Sequence, residues 1–128
     1  MADASYPHDL KYHQEHEWAR IEGDEATFGI TWYAQDTLGE VVFFTPPTVG
    51  AALTKDDQYT EVESVKAVSD VVAPLSGEVI AVNGELSDNP QTINEDPYGE
   101  GWLVRVRLSD PSEVDSLMDA AAYVATLS

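Results

Sequence analysis

The chain has 128 residues, no cysteine and a formal net charge of −18, from 24 acidic and 6 basic residues. This composition excludes disulfides and cysteine-based catalytic or metal sites, and so few basic residues cannot neutralise a nucleic acid or bind an anionic membrane. The hydrophobic fraction of 43% is ordinary for a globular fold, so we expect residues 1–128 to form a single domain. The N-terminus resembles neither a signal nor a transit peptide, and no wholly apolar run, 41–44 among them, is long enough to span a bilayer. We therefore expect a cytoplasmic protein, whose acidity favours basic patches on protein partners.

Local patterns predict a mainly β fold with short helices at its margins. Alternating or β-branched residues predict strands at 17–21, 26–30, 41–45, 78–82 and 102–108, the last with Leu103 on the same face as Arg105 and Arg107. Thr31 can cap a helix over Trp32–Leu38, which Gly39 can end in the left-handed conformation.

Two later segments predict further helical structure. Asp88-Asn89-Pro90 predicts a short helical turn with the proline at its first position. Asp110, Pro111 and Glu113 match a capping box, and the apolar residues that follow at helical spacing are Val114, Leu117, Met118 and Ala121. The sequence therefore predicts a C-terminal helix with its apolar stripe against the sheets.

Lys66 lies between two Val-rich segments, which predict a hairpin over residues 58–73 with the lysine near its apex. An amine in such a turn is accessible to another enzyme while the strands beneath hold its backbone rigid. That geometry suits a covalently attached cofactor. Judged from composition alone, the alternative is a lysine that only improves solubility.

No segment predicts an autonomous active site. His13 and His16 suggest a metal site only if they share a helix face, but the segment leads directly into the strand at Trp18, where residues three apart point to opposite faces. We therefore expect no metal site, and no Ser-His-acid combination has a local nucleophile signature. Glu61 and Glu63 fit a solvated strand edge.

The segment Glu63–Asp70 resembles the lipoylation motif of glycine cleavage system H proteins. Further landmarks occur in the family's order between about Leu10 and Tyr123, which leaves residues 1–9 as an N-terminal extension. They are His16-Glu17-Trp18, Gly29-Ile30-Thr31, Tyr33-Ala34-Gln35, Leu38-Gly39-Glu40, Ser76-Gly77-Glu78-Val79, Asn83, Asn89-Pro90, Asn94, Asp96-Pro97-Tyr98-Gly99 and Gly101-Trp102-Leu103. Trp32 and Phe44–Pro47 depart from the family's pattern, but both lie away from the lysine.

The resemblance implies a barrel-sandwich hybrid of antiparallel strands and a non-catalytic carrier with lipoate in amide linkage to Lys66. It also implies three partner enzymes besides the lipoylating enzymes. A pyridoxal-phosphate glycine decarboxylase (P protein) loads an aminomethyl group, a tetrahydrofolate-dependent aminomethyltransferase (T protein) removes its carbon, and dihydrolipoamide dehydrogenase (L protein) reoxidises the dithiol. A further role in relaying lipoate to other proteins stays open.

The resemblance further implies that Glu17 and Asp70 line a cleft that shelters the loaded arm. Carboxylates there would stabilise the arm's protonated amine through charge-assisted hydrogen bonds. The alternative is that both are ordinary surface acids.

Three other classes of protein are alternatives to a glycine cleavage H protein. A biotin carrier typically has its lysine between two methionines, whereas Val65 and Ala67 flank Lys66. A lipoyl domain of a 2-oxoacid dehydrogenase usually has Asp-Lys-Ala and belongs to a larger chain. An unmodified acidic scaffold is the alternative from a different functional class.

Overall fold

The structure is a computed structural model that describes residues 6–127. Its strands are β1 (Lys11–His13), β2 (Glu17–Glu22), β3 (Glu25–Ile30), β4 (Val41–Thr45), β5 (Ala52–Leu53), β6 (Gln58–Ser64), β7 (Val68–Val72), β8 (Gly77–Val82) and β9 (Val104–Leu108). The helices are α1 (Trp32–Leu38), α2 (Glu85–Asp88), α3 (Thr92–Glu95), the 3-10 helix Pro111–Ser116, and α4 (Ala120–Thr126). The fold is mainly β, as predicted.

The strands form two antiparallel sheets that share one core. The larger sheet has the order β1-β2-β3-β9-β8-β5, and the smaller has the order β4-β6-β7. Phe28, Val79 and Val106 of the larger sheet belong to the same buried cluster as Phe44 and Val62 of the smaller. Within residues 6–127 the strands thus form a sandwich rather than one closed barrel.

A second, aromatic cluster anchors the N-terminal segment to the C-terminal helix. The rings of Tyr12 and Tyr123 stack with centroids 4.9 Å apart, and Tyr6 packs against both. Trp18 is completely buried in this cluster, and its Nε1 donates to the Pro97 carbonyl. Because Trp18 lies on β2, this cluster fixes the strand that carries Glu17.

Helix α1 spans the predicted residues, but it ends differently. Thr31 Oγ1 accepts from Ala34 N, which confirms the N-cap. Gly39 has φ 90 and ψ −166, so it has the positive φ that glycine allows but not the left-handed helical conformation predicted. That part of the prediction was wrong because Gly39 turns the chain directly into β4 instead of adding a left-handed helical residue.

The prediction of one continuous C-terminal helix was wrong. Asp110 does accept from Ser112 N, but it caps a 3-10 helix that ends at Ser116. Glu113 does not complete a capping box, because its two carboxylate oxygens accept from Ser76 N and Ser76 Oγ. Met118 then pairs with Tyr12 as an extended bridge, and α4 begins only after Asp119.

Two smaller predictions also need correction. Asp88 ends α2, and the next helix begins at Thr92, so Pro90 precedes this helix by two residues instead of occupying its first position. Leu103 is fully buried and does not share a face with the arginines, because β9 begins one residue later and Leu103 N donates to Phe28 O.

Candidate functional site

Strands β6 and β7 form a hairpin whose turn contains Lys66. The strands pair antiparallel, with Glu63 opposite Val68 and Glu61 opposite Asp70. Ser64 N donates to Ala67 O at 2.8 Å and closes the turn. Ser64 Oγ accepts from Lys66 N at 3.2 Å and from Ala67 N at 3.0 Å. The backbone of the lysine is therefore fixed by its neighbours.

The Lys66 side chain is exposed, and it packs against the segment that follows α1. Val65 N donates to Glu40 O at 3.1 Å, which ties the turn to this segment. A β-carbon placed on Gly39 would lie 3.2 Å from Cε of Lys66. Among residues 6–127, no carboxylate forms an ion pair with the Lys66 ammonium. The amine is consequently accessible to a modifying enzyme.

Asn94 holds together the segment that lies beneath Lys66, and its hydrogen bonds were not predicted from the sequence. Its Oδ1 accepts from Val41 N at 2.8 Å, while its Nδ2 donates to Gly39 O at 2.8 Å and to Gln35 Oε1 at 3.0 Å. One amide thereby joins the end of α1 to the start of β4. The open hollow beside it, of about 410 Å³, is lined by Gln35, Asp36, Gly39, Glu40, Gln91, Asn94 and Glu95.

Glu17 is an interior residue and not a surface acid. Its side chain is 2% exposed, and its Oε2 accepts from Val72 N at 3.3 Å. Burial raises the pKa of Glu17 to about 9, against the opposing effect of the Val72 hydrogen bond. The carboxyl group is therefore protonated at neutral pH. Nothing in the local sequence around Glu17, which contains other acidic residues, predicts that its carboxyl group is protonated.

Asp70 lies on the exposed side of the hairpin, but it borders the same hollow as Glu17. Its Oδ1 accepts from Gln58 Nε2 at 3.1 Å. The hollow measures about 20 Å³, and its wall is formed by Glu15, His16, Glu17, Ile30, Ala34, Leu38, Val62, Ser69, Asp70 and Val71. That volume holds roughly one water molecule. The structure brings both predicted cleft residues together around a hollow that is nearly closed.

The two histidines near β2 have separate partners. His16 Nδ1 pairs with Tyr123 Oη at 2.7 Å, and His13 Nε2 pairs with Asp56 Oδ1 at 2.6 Å. No group of three or more His, Cys, Asp and Glu residues in the described range could hold a metal ion. The pairing of His13 with Asp56 joins residues 43 positions apart, and no local pattern predicts it.

Comparison with known proteins identifies the family. The model of the family described as Glycine cleavage H-protein matches residues 10–128. This chain belongs to the glycine cleavage H-protein family. It is 55% identical over 120 residues to the glycine cleavage system H protein of Symbiobacterium thermophilum, covering 94% of each chain. It is 54% identical over 127 residues to that of Myxococcus xanthus, covering 99% of this chain and 98% of the relative.

The solved structure of an H protein from Mycobacterium marinum has the same fold. Its TM-score is 0.87 at 39% sequence identity, and the match covers 94% of this chain and 98% of that one. Both the family resemblance and the mainly β sandwich predicted from the sequence are confirmed.

Glycine cleavage H proteins are the lipoyl carriers of the glycine cleavage system, and they carry lipoate covalently on a lysine. The chain is accordingly a non-catalytic carrier, and its partners are components of that system. Among the described residues, no helix is long and apolar enough to cross a membrane.

Proposed function

We propose that Lys66 is the lysine that carries lipoate in this H protein. The observation that supports this most directly is its exposed, unpaired amine on a hydrogen-bonded hairpin turn. Lys55, by contrast, pairs with Asp56 at 3.1 Å, and Lys11 lies within β1. Amide formation would remove the positive charge and leave a long flexible arm on a rigid base. Tethering raises the effective concentration of the arm's end at each partner.

We propose that the carrier serves three enzymes in turn. The glycine decarboxylase (P protein) would load the aminomethyl group, the aminomethyltransferase (T protein) would remove its carbon, and dihydrolipoamide dehydrogenase (L protein) would restore the arm. Lipoate would supply the disulfide on which this exchange takes place. The chain itself supplies an accessible attachment point.

Exposed acids around the lysine support docking to basic surfaces on these partners. Glu40 follows α1, and Glu61, Glu63 and Asp70 lie on the outer side of the hairpin. Such a concentration of one charge sign accelerates association with an oppositely charged surface and makes it sensitive to salt.

We further propose that Glu17 and Asp70 line the cleft that shelters the loaded arm. Both border the same hollow, whose volume is about 20 Å³ and which must widen to admit the arm. Entry of the protonated amine would favour ionisation of Glu17, because a nearby positive charge stabilises a carboxylate. The test is Glu17→Gln combined with Asp70→Asn, and a shorter hydrolytic lifetime of the loaded arm is expected. An unchanged lifetime would rule out the shelter.

The attachment site is tested with Lys66→Arg and the matched control Lys55→Arg. After exposure to lipoylating enzymes, intact mass should show one lipoyl group on the wild-type protein and on Lys55→Arg, and none on Lys66→Arg. In a reconstituted glycine decarboxylation assay, only Lys66→Arg should be inactive. A lipoyl group mapped to another lysine would refute the assignment.

We also propose that residues 1–128 act as one cytoplasmic carrier domain with residues 1–9 as an N-terminal extension. Tyr6 is buried against Tyr12 and Tyr123, so the end of this extension packs on the domain. Deletion of residues 1–9 should therefore lower stability and leave lipoylation intact. Loss of lipoylation in the folded, shortened chain would contradict this division, and cell fractionation tests the location.

A further inference from the structure

The side chains of Asp56 and His13 form a line from solvent to the buried carboxyl group of Glu17. Asp56 is 60% exposed, and its Oδ1 lies 2.6 Å from Nε2 of His13, whose side chain is 4% exposed. The other ring nitrogen of His13, Nδ1, lies 3.5 Å from Oε1 of Glu17. The path is assembled from β1, β2 and the loop before β6, so it exists only in the folded protein.

The path runs between two hollows of the structure. Its outer end opens into a hollow of about 200 Å³, whose lining includes His13, Lys55 and Asp56. Its inner end is Glu17, which borders the small hollow shared with Asp70. His13 thus lies between Glu17, at the edge of the proposed arm cleft, and the outer hollow.

The hydrogen bonds fix where the protons lie. Glu15 N donates to Nδ1 of His13 at 2.9 Å, so Nδ1 carries no proton, and Nε2 donates to Asp56. Glu17 Oε2 accepts from Val72 N, whereas Oε1 is buried with no hydrogen-bond partner in the described part of the chain. The acid proton of Glu17 therefore belongs on Oε1, the oxygen nearest His13.

Other titratable groups around Glu17 offer no equivalent route. Glu15, like Asp56, carries a charge that opposes ionisation of Glu17, and Asp70 borders the hollow beside it. His16 Nδ1 is occupied by Tyr123 Oη, and the buried hydroxyl of Tyr59 itself has no partner among residues 6–127. His13 alone in this group combines a nitrogen near Oε1 with a second hydrogen bond that leads outward.

We propose that His13 and Asp56 relay the proton of Glu17 to solvent when the amine of the loaded arm enters the cleft. This inference rests on the proposed function, because it deepens the role of the cleft. The O–H bond of Glu17 breaks as an N–H bond forms at Nδ1. The Nε2 proton passes to Oδ1 of Asp56 and then to water, so one proton leaves and no electrons move. The hydrogen bond from Glu15 N to Nδ1 must open for this step.

A route for the proton is needed on the side of Glu17 that faces away from the cleft. An arm filling the cleft blocks the direct path from Glu17 to water. Asp56 suits the outer position, because the His13 hydrogen bond, followed by that of Lys55, holds the pKa of Asp56 below its usual range. A proton delivered there passes on to water.

Infrared spectroscopy of the unmodified protein gives the first test, since a protonated carboxyl has its own absorption band and Glu17→Gln assigns it. His13→Gln retains an amide donor but cannot take up a proton. Asp56→Asn is compatible with the backbone at this position, which has a positive φ of 75, because Asn tolerates that conformation. A relay sets how fast the proton leaves, so His13→Gln should slow the loss of the Glu17 acid band after a jump in pH about tenfold or more, because a positioned proton carrier typically speeds transfer by about 10²-fold or more. Asp56→Asn should also slow this step, although loss of the Asp56 charge by itself favours ionisation of Glu17, and the exposed control His8→Gln should leave the rate unchanged. Identical rates of Glu17 deprotonation in all variants would overturn the relay.

The lifetime of the loaded arm gives the second test and separates the two proposals. His13→Gln and Asp56→Asn should each shorten the lifetime several-fold, as Glu17→Gln does. If Glu17→Gln shortens it and the other two variants do not, the relay is wrong and the cleft stands. If Glu17→Gln also leaves it unchanged, the cleft fails and the relay with it. Asp56→Asn alters an exposed side chain, so this comparison holds even if His13→Gln fails to fold.

Discussion

The methylene chain of Lys66 lies against Gly39, so close that a side chain at this position would crowd it. A β-carbon on Gly39 would lie 3.2 Å from Cε of the lysine, and the backbone of Gly39 has φ 90 and ψ −166, a region open almost only to glycine. Gly39 therefore both ends α1 and forms the surface on which the lysine stem rests.

We expect Gly39→Ala to lower the free energy of unfolding by about 1–3 kcal/mol through backbone strain and also to slow lipoylation by displacing the lysine stem. The matched control is Gly50→Ala, because Gly50 has φ +97 but nothing within 4 Å of its β-position. Chemical denaturation and initial lipoylation rates measure the two effects. Equal lipoylation rates in the two variants would show that contact with the lysine stem has no role.

Ser64 holds the lysine turn through its hydroxyl group. Ser64→Ala removes the acceptor for Lys66 N and Ala67 N, at a cost of about 1 kcal/mol. We expect faster amide hydrogen exchange at these two positions and a lower lipoylation rate. Ser69→Ala is the control, because Ser69 is exposed and its hydroxyl lies 3.5 Å from Asp70 O. Unchanged exchange in Ser64→Ala would mean that the strands alone hold the turn.

Much of the region near the lysine follows from local sequence. Helix α1 depends on Thr31 at its start and on a glycine at its end, and the hairpin depends on two β-branched segments around Lys66. Each signal lies within a few residues of the structure that it specifies. For this reason these elements could be predicted with correct positions.

Pairings between distant residues could not be predicted in this way. The C-terminal helix is interrupted because Met118 pairs with Tyr12 and because Glu113 bonds Ser76. The neutral state of Glu17 likewise depends on its burial beside Val72, 55 residues away. Nothing adjacent to these residues in the chain records the partner, so the sequence predicted that Glu17 borders the cleft but not its protonation.

Gly29 is required by its contact with Trp18 on the neighbouring strand. A β-carbon on Gly29 would lie 2.5 Å from Cε2 of the indole ring, which is fully buried and cannot retreat. We expect Gly29→Ala to destabilise the protein by about 1–3 kcal/mol or more, because overpacking forces the ring and backbone to shift. Near-ultraviolet circular dichroism should report the displaced indole.

Gly84→Ala is the control for this substitution, since a β-carbon there meets nothing within 4 Å and the backbone has a negative φ of −66. A Gly29→Ala variant as stable as Gly84→Ala would contradict the close approach of the two strands at Trp18.

The buried, protonated carboxyl group of Glu17 should make the fold less stable as pH rises. Below its unfolded pKa of 4.5 both states hold the proton, but between 4.5 and about 9 the unfolded chain releases it and the folded chain does not. The unfolded state then binds fewer protons, so the free energy of unfolding falls across this window. Glu17→Gln removes this pH dependence. Measured against wild type, the free energy of unfolding of the variant should therefore be higher at pH 7–8 than at pH 4.5 by roughly 2–4 kcal/mol. Urea unfolding from pH 4.5 to 8 measures it, with the exposed Glu63→Gln as control. Parallel pH profiles for wild type and Glu17→Gln would mean that Glu17 is ionised in the fold.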